Sequence, residues 1–278
     1  MTAFEALEAF RASAPVRRLQ QGGVEWQYRA AGEGRQGLLL LPGAVGDGDA
    51  YFTVAPLLSS THRLMAFAYP SVDSLTALLD GLRDILDREE IDSTDIVGGS
   101  FGGLIAQTFL QRFPQRTRRV VLSVTGPAKA ERAASNERFA RIVSRLPVGV
   151  TRALLRTIVR ASLRPVTDDR AFWRAFYFQA IARLSRDELV ARYALSADID
   201  RHGPPSPAGR REWPGEVLIL EGKADAIAGA GARDRLKALY PDARLHTFPG
   251  AGHAVSAERR HEWAATIAAF LTEPSVLA

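Results

Sequence analysis

Short apolar runs alternating with segments of helical period constrain this chain more than any other feature. Gly37–Leu41 reads as a strand buried on both faces, and Arg63–Tyr69, Thr94–Val97, Arg119–Val124, Glu216–Glu221 and Ala243–Phe248 also read as strands. Between them, Ser74–Arg88 carries Leu75, Leu78, Leu79, Leu82, Ile85 and Leu86 at helical spacing, and Phe101 to about Phe113 reads as a helix stopped before Pro114. Helices are also predicted from about Gly229 to Leu239 and from Ala257 to Leu271. Strand and helix in this alternation require crossover connections, hence an α/β chain with a mostly parallel central sheet and helices on both faces. Val24–Arg29 alternates apolar and polar residues as a half-buried edge strand does.

The alternation stops after Gly126-Pro127. Helical patterns then follow at Arg138–Leu146, Val150–Leu163, Arg170–Leu184 and Asp187–Leu195, and a Pro/Gly-rich tract from His202 to Gly215 leads back to the sheet. The organisation predicted is a core over 1–126, a helical cap or lid over 127–213, and the rest of the core over 214–278.

Charge is unevenly distributed along this plan. Ala128 to Trp213 holds 17 Arg and Lys against 9 Asp and Glu, whereas the remainder holds 19 against 22. Such a segment is either the solvated face of Arg-rich helices or a surface that attracts an anionic substrate or an acidic carrier protein. Basic residues interleaved with aromatics, as on single-stranded nucleic-acid surfaces, are not found, so nucleic acid is not an expected partner. No apolar run approaches the ~18 residues of a membrane span. The first residues place Phe4, Leu7 and Phe10 at helical spacing and read as a surface helix, not a signal peptide. The chain has no Cys, which excludes disulfides and thiolate chemistry and is compatible with a cytoplasmic protein.

Gly98-Gly99-Ser100-Phe101-Gly102-Gly103 lies between a predicted strand and a predicted helix. On such a tight turn the hydroxyl of Ser100 would point out of the sheet, with the positive end of a helix beneath it, and the residues two before and two after must be small. A serine hydroxyl needs a base, and the base needs an orienting group. Of five histidines, His253 alone lies in a loop after a strand, whereas His62, His202, His246 and His261 read as packing or surface residues. The orienting carboxylate should follow a neighbouring strand, which selects Asp225, with Asp198 and Asp200 as fallbacks. An oxyanion needs two backbone N–H groups. Phe101 would supply one, and the loop Pro42-Gly43-Ala44-Val45-Gly46 the other, from Ala44 first and Val45 second. That loop lacks the G-x-G-x-x-G and Walker patterns of phosphate cradles, and no cofactor or metal is expected.

With these residues in view, LLLLPGAVG, VGGSFGGLIAQ, LILEGKAD and FPGAGHAV together resemble the capped members of the α/β-hydrolase superfamily, over roughly 20–126 and 214–272. The resemblance implies that fold and a Ser100, Asp225, His253 triad. Pro42 stands where the family often has His, a departure in the shape of the oxyanion loop. Ser at position 100 disfavours the members that use an aspartate nucleophile. The stretch Pro42 to Gly103 also resembles maspardin, a member regarded as a binding protein. The expected function is a serine esterase cleaving a small-molecule carboxylic ester or thioester. Acyl transfer or lyase chemistry on the same scaffold, or binding alone, remain alternatives. In the cap, Phe172, Trp173, Phe176 and Tyr177 share neighbouring helical positions, either lining an acyl pocket or packing the cap onto the core.

Overall fold

The computed structural model describes residues 1–72, 74–202 and 213–274. Eight strands form one sheet in the order β1-β2-β4-β3-β5-β6-β7-β8. They are β1 (Val16–Gln21), β2 (Val24–Ala31), β3 (Gln36–Leu41), β4 (His62–Ala68), β5 (Thr94–Gly99), β6 (Thr117–Ser123), β7 (Glu216–Gly222) and β8 (Arg244–Phe248). β2 runs antiparallel to β1 and β4, and the pairings from β4 through β8 are parallel. Leu38, Leu39, Leu40 and Leu41 of β3 are fully buried, as a strand covered on both faces demands.

β1 was not expected from the sequence. Its VRRLQQ pattern is exposed or half-buried throughout, because an edge strand of this kind buries almost no side chain and keeps charges outward. Gly22 and Gly23 close the hairpin to β2 at φ +58° and +76°, values that favour glycine at both positions.

Two layers cover the sheet. On one face Leu39, Leu41, Ile96 and Leu122 meet α3 (Leu75–Arg88) and α4 (Phe101–Arg112). On the other, Leu38, Leu40, Val97 and Val121 share a core with α1 (Ala3–Ser13), the short α2 (Ala55–Leu58) and the last helix, Arg260–Thr272. Thr2 and Glu5 form a capping box that starts α1. The chain's final helical stretch is broken at Arg259, after the short helix Val255–Glu258.

Between β6 and β7 the described chain is helical: α5 (Ala130–Arg145), α6 (Val148–Ser162), α7 (Arg170–Arg183) and α8 (Arg186–His202). α5 begins two turns before the apolar pattern at Arg138, and α8 continues past Leu195. Both extensions are held by one buried carboxylate: Asp200 accepts from the Lys129 amide (2.9 Å), Arg132 Nε (2.6 Å) and Asn136 Nδ2 (2.8 Å). Asp198 accepts from the Leu75 amide (3.0 Å) at the positive end of α3, which ties α8 to the core. The predicted Pro/Gly-rich linker lies outside the described residues except at His202 and from Trp213 to Gly215.

Candidate active site

The candidate residues lie in the loops that follow β3, β5, β7 and β8, at the C-terminal ends of adjacent parallel strands, where open α/β sheets leave a crevice. Ser100 joins β5 to α4 at φ +51°, ψ −112°, a conformation that costs a non-glycine residue of order 1–3 kcal/mol. The glycines around it permit the turn. A Cβ at Gly98 would lie 2.5 Å from the Gly102 carbonyl oxygen, and one at Gly102 would lie 2.0 Å from that of Leu41. The Ser100 amide donates to Ser123 (2.9 Å), and its carbonyl accepts from Thr125 Oγ1 (2.8 Å), so both sides of the strained residue are anchored.

His253 Nε2 lies 3.0 Å from Ser100 Oγ, and its Nδ1 lies 2.9 Å from Asp225 Oδ2. Asp225 is 3% exposed. Its other oxygen accepts from the amides of Ile227 (2.8 Å) and Ala228 (3.0 Å). Burial pushes this carboxyl up, but the hydrogen bond and charge of His253 and those two amides outweigh it, and the net result is below the usual aspartate range. The loop carrying His253 is pinned in turn by Glu258, whose two oxygens accept from the Gly252 amide at 3.0 and 2.9 Å. Burial holds the Glu258 carboxyl above the usual range, with the neighbouring Asp225 charge adding to it.

The loop after β3 touches the serine: a Cβ at Gly43 would meet Ser100 Cβ at 3.7 Å. Three hydrogen bonds fix its shape. Tyr69 donates to the Pro42 carbonyl (2.8 Å), the Gly46 amide to that of Gly43 (3.0 Å), and Arg192 Nη1 of α8 to that of Ala44. The Phe101 ring packs edge-on against Tyr69 at 5.4 Å, so one buried phenol supports both sources of the expected oxyanion amides. Tyr51 lies beneath, donating to the carbonyls of Leu41 (2.6 Å) and Val97 (3.0 Å).

A cavity of about 400 Å³ opens over Ser100 and His253. Ala44, Val45 and Tyr177 line it. Phe172, Trp173 and Phe176 do not: their rings pack around Phe52 of the core at 5.9, 5.5 and 6.3 Å. Helical spacing put these aromatics on one side of α7 and could not say whether that side faced the cavity or the core. The apolar wall comes instead from Leu155, Ile158 and Val159 of α6, with Leu163 just beyond it. The signal for that wall was present in the Leu/Val/Ile repeat of Val150–Leu163. The role of Arg192 carried no local signal among so many arginines. Among the described residues, His253 is the only ionisable group besides the two tyrosine phenols Tyr51 and Tyr177 and that of Tyr193 that lines the cavity, and none is a carboxylate, Lys or Arg. Asp198 and Asp200 are engaged in the contacts described above.

The sequence profile of the alpha/beta hydrolase family matches residues 38–266. The chain belongs to the alpha/beta hydrolase family. Among relatives of this alpha/beta hydrolase, 2-hydroxy-6-oxo-2,4-heptadienoate hydrolase of Pseudomonas putida is 27% identical over 280 residues, covering 90% of this chain and 94% of that one. Mouse (Mus musculus) maspardin is 24% identical over 242 residues, covering 84% of this chain and 76% of that one. The crystal structure of a hydrolase from Pseudomonas aeruginosa PA01 shares the fold, with a TM-score of 0.77 at 21% identity over 93% of this chain and 98% of that one. The likeness to maspardin read from Pro42 to Gly103 therefore extends over most of the chain. No helix among the described residues is long and apolar enough to cross a membrane.

Proposed function

We propose that this alpha/beta hydrolase is a serine hydrolase that cleaves an uncharged carboxylic ester or thioester through an acyl-enzyme on Ser100. The observation that carries the reading is the continuous hydrogen-bonded series from Asp225 through His253 to Ser100 Oγ, open to the cavity. In this reaction His253 Nε2 takes the hydroxyl proton as Ser100 Oγ attacks the acyl carbon. The N–H groups of Phe101 and Ala44 hold the oxyanion, and the ionised Asp225 steadies the imidazolium. His253 then gives the proton to the departing alcohol or thiol. Water, deprotonated by the same imidazole, attacks the acyl-enzyme and releases the acid.

The cavity supports an uncharged acyl group, because a carboxylate buried against Leu155, Ile158 and Val159 would lose its hydration without gaining a cationic partner. A second reading is favoured by the resemblance to 2-hydroxy-6-oxo-2,4-heptadienoate hydrolase. That compound carries a ketone and no ester, so water would be added across a carbon–carbon bond beside the ketone, which the same two amides could polarise. Labelling with a fluorophosphonate, followed by turnover of esters and thioesters of graded acyl length and of an oxo-dienoate, separates the readings. Modification of Ser100 and preference for uncharged esters are expected. Labelling elsewhere would remove the first reading, and turnover of the oxo-dienoate alone would select the second.

A further inference from the structure

Residues 138 to 164, running from α5 through α6 to the turn just after it, contain seven arginines and no Asp or Glu. None of the seven pairs with a carboxylate among the described residues. Arg152 donates to the Leu184 carbonyl, and Arg156 and Arg160 lie over the Phe178 ring at 5.8 and 5.4 Å. Arg138, Arg141, Arg145 and Arg164 are exposed. Interspersed with them, Phe139, Ile142, Val150, Leu154 and Ile158 are each between 44% and 55% exposed. On α6, Val150, Leu154 and Ile158 follow one another at intervals of four and so form a single stripe.

Each helix brings an exposed apolar residue to the mouth of the cavity. Ile158 lines the cavity, and so does Ile227, 55% exposed, from the loop after β7. Phe139 stacks at 5.8 Å on Tyr193, another lining residue. A solvated face needs no half-exposed large aliphatics, and a purely electrostatic surface needs none either. Aliphatics entering an acyl boundary while unpaired arginines meet phosphates is the arrangement of helices that lie in a lipid headgroup layer.

We propose that the α5–α6 face docks on an anionic lipid surface and so presents the cavity mouth to a substrate dissolved there. The substrate half of this statement rests on the hydrolase reading above; the docking half does not. The arginines supply attraction to lipid phosphate, bidentate where geometry allows, and the stripe of Val150, Leu154 and Ile158 supplies insertion.

The test is flotation of the full chain with vesicles of phosphatidylglycerol mixed with phosphatidylcholine, and of phosphatidylcholine alone. Partitioning onto the anionic vesicles is expected to exceed that onto the neutral ones at least tenfold, and to fall at least tenfold between about 50 mM and about 500 mM salt. The double variant V150D/L154D, altered at positions that do not line the cavity, should lose at least tenfold in partitioning while turning over a short soluble ester normally. R141E/R145E should lose as much and provides the same comparison if the first variant does not fold. S100A should partition as the wild type does while losing turnover, which keeps failure of the chemistry separate from failure of docking. Folded wild-type protein that ignores anionic vesicles, equal partitioning of both double variants, or capture by an acidic carrier protein without vesicle binding would each overturn the proposal.

Discussion

Arg192 donates a hydrogen bond to the carbonyl oxygen of Ala44 across 148 positions of sequence, linking α8 to the loop that faces Ser100. Arg192 is 6% exposed, and its Nε has no partner among the described residues. Burial pushes its pKa down from the ordinary arginine value. Arg192 reaches no substrate position in the cavity over Ser100, so its part in the proposed reaction is positioning: it holds the loop whose amide would meet the oxyanion. Loosening a donor costs less than deleting one, for which 10²–10³ in kcat is usual. R192M is expected to lower kcat on a soluble ester about tenfold with KM little changed, and R192K to recover part of the loss. A fall in thermal stability with kcat intact would mean that the contact only supports the fold.

Replacement of the proposed nucleophile is expected to give the largest effect. Ser100→Ala is expected to lower kcat on an activated ester ~10⁴-fold or more, the behaviour of serine triads generally, with unchanged circular dichroism. Wild-type turnover in this variant would mean that the hydroxyl is not the attacking group.

The lowered pKa of Asp225 has a sign that can be measured. A carboxylate whose folded pKa lies below its unfolded value of about 4 stabilises the fold above that value, and the contribution disappears as pH falls through the folded pKa. Asp225→Asn should therefore be less stable than the wild type at about pH 7, with the gap closing below about pH 4. Urea melts at graded pH would show it. A gap that stays constant through the acid range would contradict the assignment.

Gly102 has no room for a side chain. A Cβ there would lie 2.0 Å from the Leu41 carbonyl oxygen, and backbone on both sides must move to admit it. Gly102→Ala is expected to destabilise by about 1–3 kcal/mol and to displace Ser100 from His253. Melting temperature and fluorophosphonate labelling should fall together. An alanine variant that melts and labels normally would show that strand and helix can separate at little cost.

In the proposed reaction the cavity wall on α6 would set the acyl length. Val159→Trp fills the space beside Leu155 and Leu163. Short esters should retain turnover within about threefold, and long-chain esters should lose at least tenfold in kcat/KM, a few kcal/mol of lost burial being enough. Equal losses across chain lengths would place the acyl group elsewhere.

Much of this architecture is readable from local pattern. The apolar run at Leu38–Leu41 dictates a strand covered on both faces, and the glycines flanking Ser100 dictate a turn too tight for larger residues. The loops after successive parallel strands necessarily share one edge, so Ser100, Asp225 and His253 could be nominated together although they lie far apart along the chain. Tertiary structure alone decided which apolar helix faces the cavity, since periodicity states that Phe172 and Trp173 of α7 and Leu155 of α6 are covered but not by what. It alone selected Arg192 among the arginines, because a hydrogen bond between α8 and the Ala44 carbonyl leaves no trace in the residues next to either. It also added β1, whose polar sequence gives no strand signal because an edge strand buries so little. Local sequence fixes the conformations a segment prefers. The partner of each buried face is settled only when all the faces compete for one interior.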